Sequence, residues 1–96
     1  LISWHFGIFA DAGASNTSIQ LSCTLDNSSY LETSATSANV ASGESIVLSG
    51  SYIFDVTNTT NCKFKWRYYS ASSANNILGH TDETKCGFTC VRLGDT

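Results

Sequence analysis

Ser18-Ile19-Gln20-Leu21-Ser22-Cys23-Thr24-Leu25 alternates polar and apolar side chains without a break. A period of two puts Ile19, Leu21, Cys23 and Leu25 on one face and the polar residues on the other. That is the pattern of a strand with one side buried and one side in water. The same period recurs upstream, where Ile2, Trp4, Phe6 and Ile8 share a face opposite Ser3, His5 and Gly7. Downstream, Ile46, Val47 and Leu48 mark a shorter candidate over 45–49. β-branched and aromatic residues return over 52–57, 62–69 and 86–93. No stretch of ten or more residues carries a helical period. Many short strands with turn signals between them predict an all-β fold, a small antiparallel β-sandwich or a partly closed β-barrel. The stretch 33–43, rich in Ser, Ala and Thr, reads as either a polar edge strand or a long loop.

Length and composition bound this reading. The chain has 96 residues, which suits one domain spanning 1–96. Only 14% of residues are charged, and polarity comes instead from 15 Ser, 11 Thr and 7 Asn. Disorder is excluded, because 42% hydrophobic residues with eleven aromatics is too much apolar surface to leave in water. No apolar run approaches the roughly 18–20 residues of a membrane-spanning helix, so no transmembrane segment is expected.

The cysteines point to a compartment. Cys23, Cys62, Cys86 and Cys90 are even in number but wrongly spaced for zinc, which draws its ligands in two close pairs. His5 and His80 stand far apart, and no metal or other cofactor is implied. Two disulfides in an oxidising compartment are the expectation. If 86–90 is extended, its ends lie about 13 Å apart, beyond the roughly 7 Å a disulfide spans. Cys86 and Cys90 would then pair with Cys23 and Cys62 in one of two ways. A turn at Gly87 would instead permit a Cys86–Cys90 loop with Cys23–Cys62. The chain opens on Leu1 rather than methionine, which leads us to expect a processed, secreted protein. Asn16-Thr17-Ser18, Asn27-Ser28-Ser29 and Asn58-Thr59-Thr60 are glycosylation sequons. With Ser and Thr so common, some arise by chance, and they agree with secretion without establishing it.

One hairpin can be given a register from the residues alone. If 52–58 pairs with 62–68 across Thr59-Thr60-Asn61, then Tyr52, Phe54 and Val56 face Tyr68, Trp66 and Phe64. Asp55 then faces Lys65, and Thr57 faces Lys63, on the other side. A slip by one residue would move every apolar side chain to the wrong face.

Charge is unevenly spread. Residues 1–61 hold five acids and no Lys or Arg, whereas 62–96 hold five bases and three acids. Lys63, Lys65 and Arg67 line one face of a single strand that continues to Tyr69. This strip is the candidate binding site, suited to an anionic group; otherwise it is a solvated strand face. The net charge of −3 argues against nucleic acid as a partner. For catalysis there is no Gly-x-Ser-x-Gly elbow and no phosphate-binding glycine loop. His80, Asp82 and Glu83 form the densest titratable cluster, and it reads first as a solvated loop. No catalytic residues are assigned, and no enzyme is expected.

In its abundance of Ser, Thr, Asn and Ala with an even set of cysteines, the chain resembles the small secreted proteins of filamentous fungi. The resemblance is compositional and carries no residue roles. It implies an effector, elicitor or toxin that recognises an extracellular protein or glycan of another cell. The alternative is a carbohydrate-binding, lectin-like module for cell-wall or surface glycan.

Overall fold

A computed structural model of the chain describes residues 1–10, 15–71, 75–79 and 84–94. These residues form seven strands and no helix. They are β1 (Ile2–Ala10), β2 (Ser15–Thr24), β3 (Leu31–Val40), β4 (Ser45–Tyr52), β5 (Lys63–Ser70), β6 (Asn75–Ile77) and β7 (Cys86–Cys90). In the first sheet β1 is central, with β4 along one edge and β7 and β6 in succession along the other. The second sheet runs β3-β2-β5. Every pairing is antiparallel. The architecture is therefore two antiparallel sheets packed face to face, and the barrel alternative falls away.

The two strands with the cleanest alternation sit at the centres of the two sheets. On β1, Ile2, Trp4, Ile8 and Ala10 are buried, and on β2 Ile19, Leu21 and Cys23 are buried. Val40 from β3 and Leu48 from β4 complete the core. Leu25 does not join them. β2 ends at Thr24, and Leu25 is exposed at the start of the turn to β3. That turn is built on the Asp26 carboxylate, which accepts hydrogen bonds from the backbone N–H groups of Ser29 (2.7 Å) and Ser28 (2.9 Å) and from the Thr24 hydroxyl (2.8 Å). These donors hold the Asp26 carboxyl well below the usual carboxylate range.

The polar stretch 33–43 resolves into β3, the edge strand of the second sheet, followed by a tight corner. Its hydroxyls find carbonyl partners: Thr33 donates to Leu21 O (3.2 Å), and Thr36 donates to Ser49 O of β4 (2.9 Å), tying the sheets together. The corner turns at Gly43, whose φ of 77° lies in the left-handed region that favours glycine. Its N–H donates to Ala10 O (2.7 Å), which anchors the corner to the end of β1.

The expected hairpin does not form. Asn58 Oδ1 accepts from the N–H groups of Thr60 and Asn61, both at 2.9 Å, so a turn lies where the sequence places one. Its two flanks belong to different sheets, however. β4 pairs with β1, Tyr52 opposite Ile2, and β5 pairs with β2, Trp66 opposite Leu21. Residues 53–62 connect the sheets. Both arrangements turn Phe64, Trp66 and Tyr68 toward the core, so the face was legible and the neighbour was not. Asp55 consequently does not stand across from Lys65, whose strand partner is Ser22.

Disulfide stapling is also corrected: all four cysteines are free thiols. The extended form of Cys86–Cys90 holds and separates that pair along β7. Cys23 is buried on β2, where its sulfur meets the Thr33 hydroxyl at 3.5 Å. Cys86 belongs to the other sheet, and its thiol donates to Leu78 O (3.0 Å). The two sheets are held instead by apolar packing, with the Thr36 to Ser49 hydrogen bond between β3 and β4.

Candidate functional site

β5 is an edge strand, and its burial alternates residue by residue. Phe64, Trp66 and Tyr68 point between the sheets, which turns Lys63, Lys65, Arg67 and Tyr69 outward together. The four share an exposed face, with Tyr69 52% exposed. Their cross-strand neighbours on β2 are Thr24, Ser22, Gln20 and Ser18, none of them charged. Glu32 of β3 pairs with Ser22, so it stands one strand further from Lys65 on the same face. Lys65 rests its ammonium 4.0 Å above the centre of the Tyr30 ring, a cation–π contact that holds the charge against the surface. Alternate residues on a strand lie about 7 Å apart, so the three cations form a short ladder.

A second feature was not visible in the sequence. At the end of the sandwich where β1 and β5 begin and β4 and β7 end, the sheets open into a cleft of about 970 Å³. Leu1, Ile53, Val56, Phe64, Val91 and Leu93 give it an apolar lining, and Asp55 and Arg92 stand among them. Ile53, Val91 and Leu93 are each about half exposed or more. The runs 53–56 and 91–93 read as strand in the sequence; apart from the bonds between Val91 and Leu1 they lie outside the described strands, and that leaves them lining an opening.

Compared with known families, curated proteins and solved structures, the chain matches none. Its chemistry therefore rests on its own residues.

Two thiols, Cys62 and Cys90, line the cleft. Hydrogen bonding from the Asn58 backbone, and more weakly from Thr57, lowers the Cys62 pKa, against desolvation and, least of all, the charge of Asp55. Burial pushes the Cys23 thiol up, only partly offset by its hydrogen bond with Thr33. Cys90 is exposed and Cys23 buried, and the lowered pKa of Cys62 favours the reactive thiolate, so native protein freed of reductant should react with iodoacetamide at Cys90 and Cys62 well before Cys23. Peptide mapping by mass spectrometry reads the order. A Cys23 that is alkylated first, or an intrachain cross-linked cysteine peptide, would contradict the structure.

The remaining sequence candidates are dispersed. His5 is half-buried on β1, opposite Ser49 and Gly87. The cluster of His80, Asp82 and Glu83 lies outside the described residues. Among the described residues no group of three His, Cys, Asp or Glu side chains could hold a metal ion. In the same residues no helix is long and apolar enough to cross a membrane. The three sequon asparagines, Asn16, Asn27 and Asn58, are all exposed. Asn58 uses only its carbonyl oxygen in the turn, which leaves the amide nitrogen where a glycan attaches outside those bonds.

Proposed function

We propose that this chain is a secreted recognition domain that binds, without catalysis, an anionic partner on another cell through the outer face of β5. One observation carries the reading: Lys63, Lys65 and Arg67 are exposed at alternate positions and face only uncharged neighbours on β2. A row of like charges on one strand costs some repulsion, and it steers and holds a partner of opposite sign. The exposed sequons at Asn16, Asn27 and Asn58 support the extracellular placement, which no longer draws on the cysteines. An effector, elicitor or toxin would use such a face on a protein surface.

The alternative, a lectin-like module, draws on Tyr69 and Tyr30 beside the cations. Neutral sugars are held by open aromatic faces, and Lys65 already occupies one face of Tyr30. The arrangement therefore favours an acidic glycan over a neutral one.

Replacing Lys63, Lys65 and Arg67 together by serine tests both readings. Exposed substitutions shift stability by under about 0.5 kcal/mol each, so the variant should melt close to the parent. Its binding to target cells or to an array of acidic glycans should be lost, and parent binding should fall as salt rises. Undiminished binding by the folded variant would sink the proposal. Binding confined to arrayed sugars would favour the lectin-like form.

A further inference from the structure

We infer that β7 is a self-association edge, on which a second copy of this chain adds its own β7 antiparallel about Phe88. Three observations meet there. The edge is open: β7 pairs with β1, and no strand of the described residues lies on its other side. Leu1 and Val91 exchange N–H to O bonds at 2.8 Å, and Gly7 N–H donates to Lys85 O at 3.0 Å. Antiparallel strands alternate the direction of their peptide groups. Lys85, Gly87, Thr89 and Val91 therefore turn theirs toward β1, and Cys86, Phe88 and Cys90 turn theirs to the open side.

The edge is also unguarded. Natural sheets blunt exposed edges with charge, and β5, at the edge of the other sheet, carries Lys63, Lys65 and Arg67. β7 reads Cys86-Gly87-Phe88-Thr89-Cys90, with no charge and no proline, and Phe88 is 56% exposed. That ring already packs on Trp66 (4.6 Å between centroids) and Phe64 (5.9 Å), so a neighbouring ring would extend an existing cluster.

The occupant follows from the pattern. Cys-x-Phe-x-Cys reads the same in both directions, and a two-fold interface requires a surface that complements itself. Centring the pairing on Phe88 sets it opposite Phe88 of the partner subunit, and sets Cys86 opposite Cys90 of the partner subunit. The three positions with outward peptide groups are then the three that pair. The dimer would carry two basic β5 faces on one body, which adds avidity to the function proposed above but does not depend on it.

Hydrogen-bonded antiparallel pairs hold their Cα atoms about 5.5 Å apart, within the reach of a disulfide, so cross-linking reports the register. With oxidised glutathione as oxidant, one thiolate attacks the glutathione disulfide and releases one reduced glutathione. The facing thiolate attacks the mixed disulfide and releases the second. Two protein thiols thus give up two electrons and two protons, and one interchain bond forms. Sedimentation velocity of the full chain in reductant should show a monomer–dimer equilibrium. Added salt should strengthen it, since each copy carries a net charge of −3. Oxidation should then yield a dimer whose linked peptide joins Cys86 to the partner's Cys90. Thr89→Lys, which places a cation beside the two-fold axis, should weaken association at least about tenfold. A chain that stays monomeric at all concentrations overturns the inference. So does a dimer linked through other cysteines, or one weakened by salt, which would place the charged β5 face at the contact.

Discussion

Replacing Trp66 with alanine should destabilise the protein by about 3 kcal/mol, toward the lower end of what emptying a large aromatic site costs because the residue is half-buried. Against a total stability of roughly 5–15 kcal/mol for a domain, that is a large fraction. The reason is position. Trp66 stands on the inner face of β5, and its ring meets Trp4 at 6.5 Å, Phe6 at 5.9 Å, Phe64 at 5.3 Å and Phe88 at 4.6 Å. Those partners come from β1, β5 and β7, so a single side chain joins the two sheets on the side where both have free edges. No disulfide backs up this contact, and alanine would leave the rings of Phe64 and Phe88 facing a void. Trp66→Phe should cost much less, because phenylalanine keeps an aromatic ring there and the Trp66 indole N–H has no acceptor among the described residues. Lys65→Ala, one residue away on the opposite face, should cost under about 1 kcal/mol, the scale of an exposed cation–π contact. Denaturant melts of the three variants give the ranking directly. If Lys65→Ala proved the costlier change, β5 would be turned the other way and its basic face would lie inside.

The contrast between those two neighbours marks how far the sequence could be read. Alternation assigns a face, so the inward set of β1, β2 and β5 and the outward ladder of Lys63, Lys65, Arg67 and Tyr69 were legible before any coordinates. Alternation does not name a neighbour. Tyr52 and Phe54 suit Tyr68 and Trp66 across a hairpin as well as they suit the inside of a sandwich. What decides between these is the need of β1 and β2, each central in its sheet, for partners on both edges. Polar β3 was ambiguous for a related reason. Its Thr33 and Thr36 hydroxyls are satisfied by carbonyls of Leu21 and Ser49, and such distant partners leave no local trace. The cysteines misled because their even count and spacing describe a possibility of bonding, whereas the sheets set where the sulfurs stand. The cleft was invisible because its lining differs from core only in lacking something packed against it. Candidate site and candidate core thus share one vocabulary of apolar residues, and only the strand pairing separates them.

Gly50→Ala should cost about 2–3 kcal/mol, the upper part of the usual range for overpacking a filled core, although alanine is ordinarily the better residue in a strand interior. Gly50 lies directly opposite Trp4 in the β1–β4 pair. A Cβ at this position would overlap Trp4 Cζ2 and stand 2.8 Å from Cη2 and 2.9 Å from Cε2, all far inside contact distance. Trp4 cannot swing aside, since only 3% of it is exposed and its ring is flanked by Trp66. The glycine is therefore the hollow that admits the indole, and its bareness is a packing requirement rather than a backbone one. Gly79→Ala supplies the control, because a Cβ there meets nothing within 4 Å among the described residues and the change should be close to neutral. A double-mutant cycle isolates the cause. Trp4→Phe removes the second ring, to which Cζ2, Cη2 and Cε2 belong, so Gly50→Ala should be better tolerated in that background than in the parent. Coupling of at least about 0.5 kcal/mol, the lower end for residues in contact, is the expected result. Strict additivity would mean that the two side chains never met, and that β4 pairs with β1 in some other register.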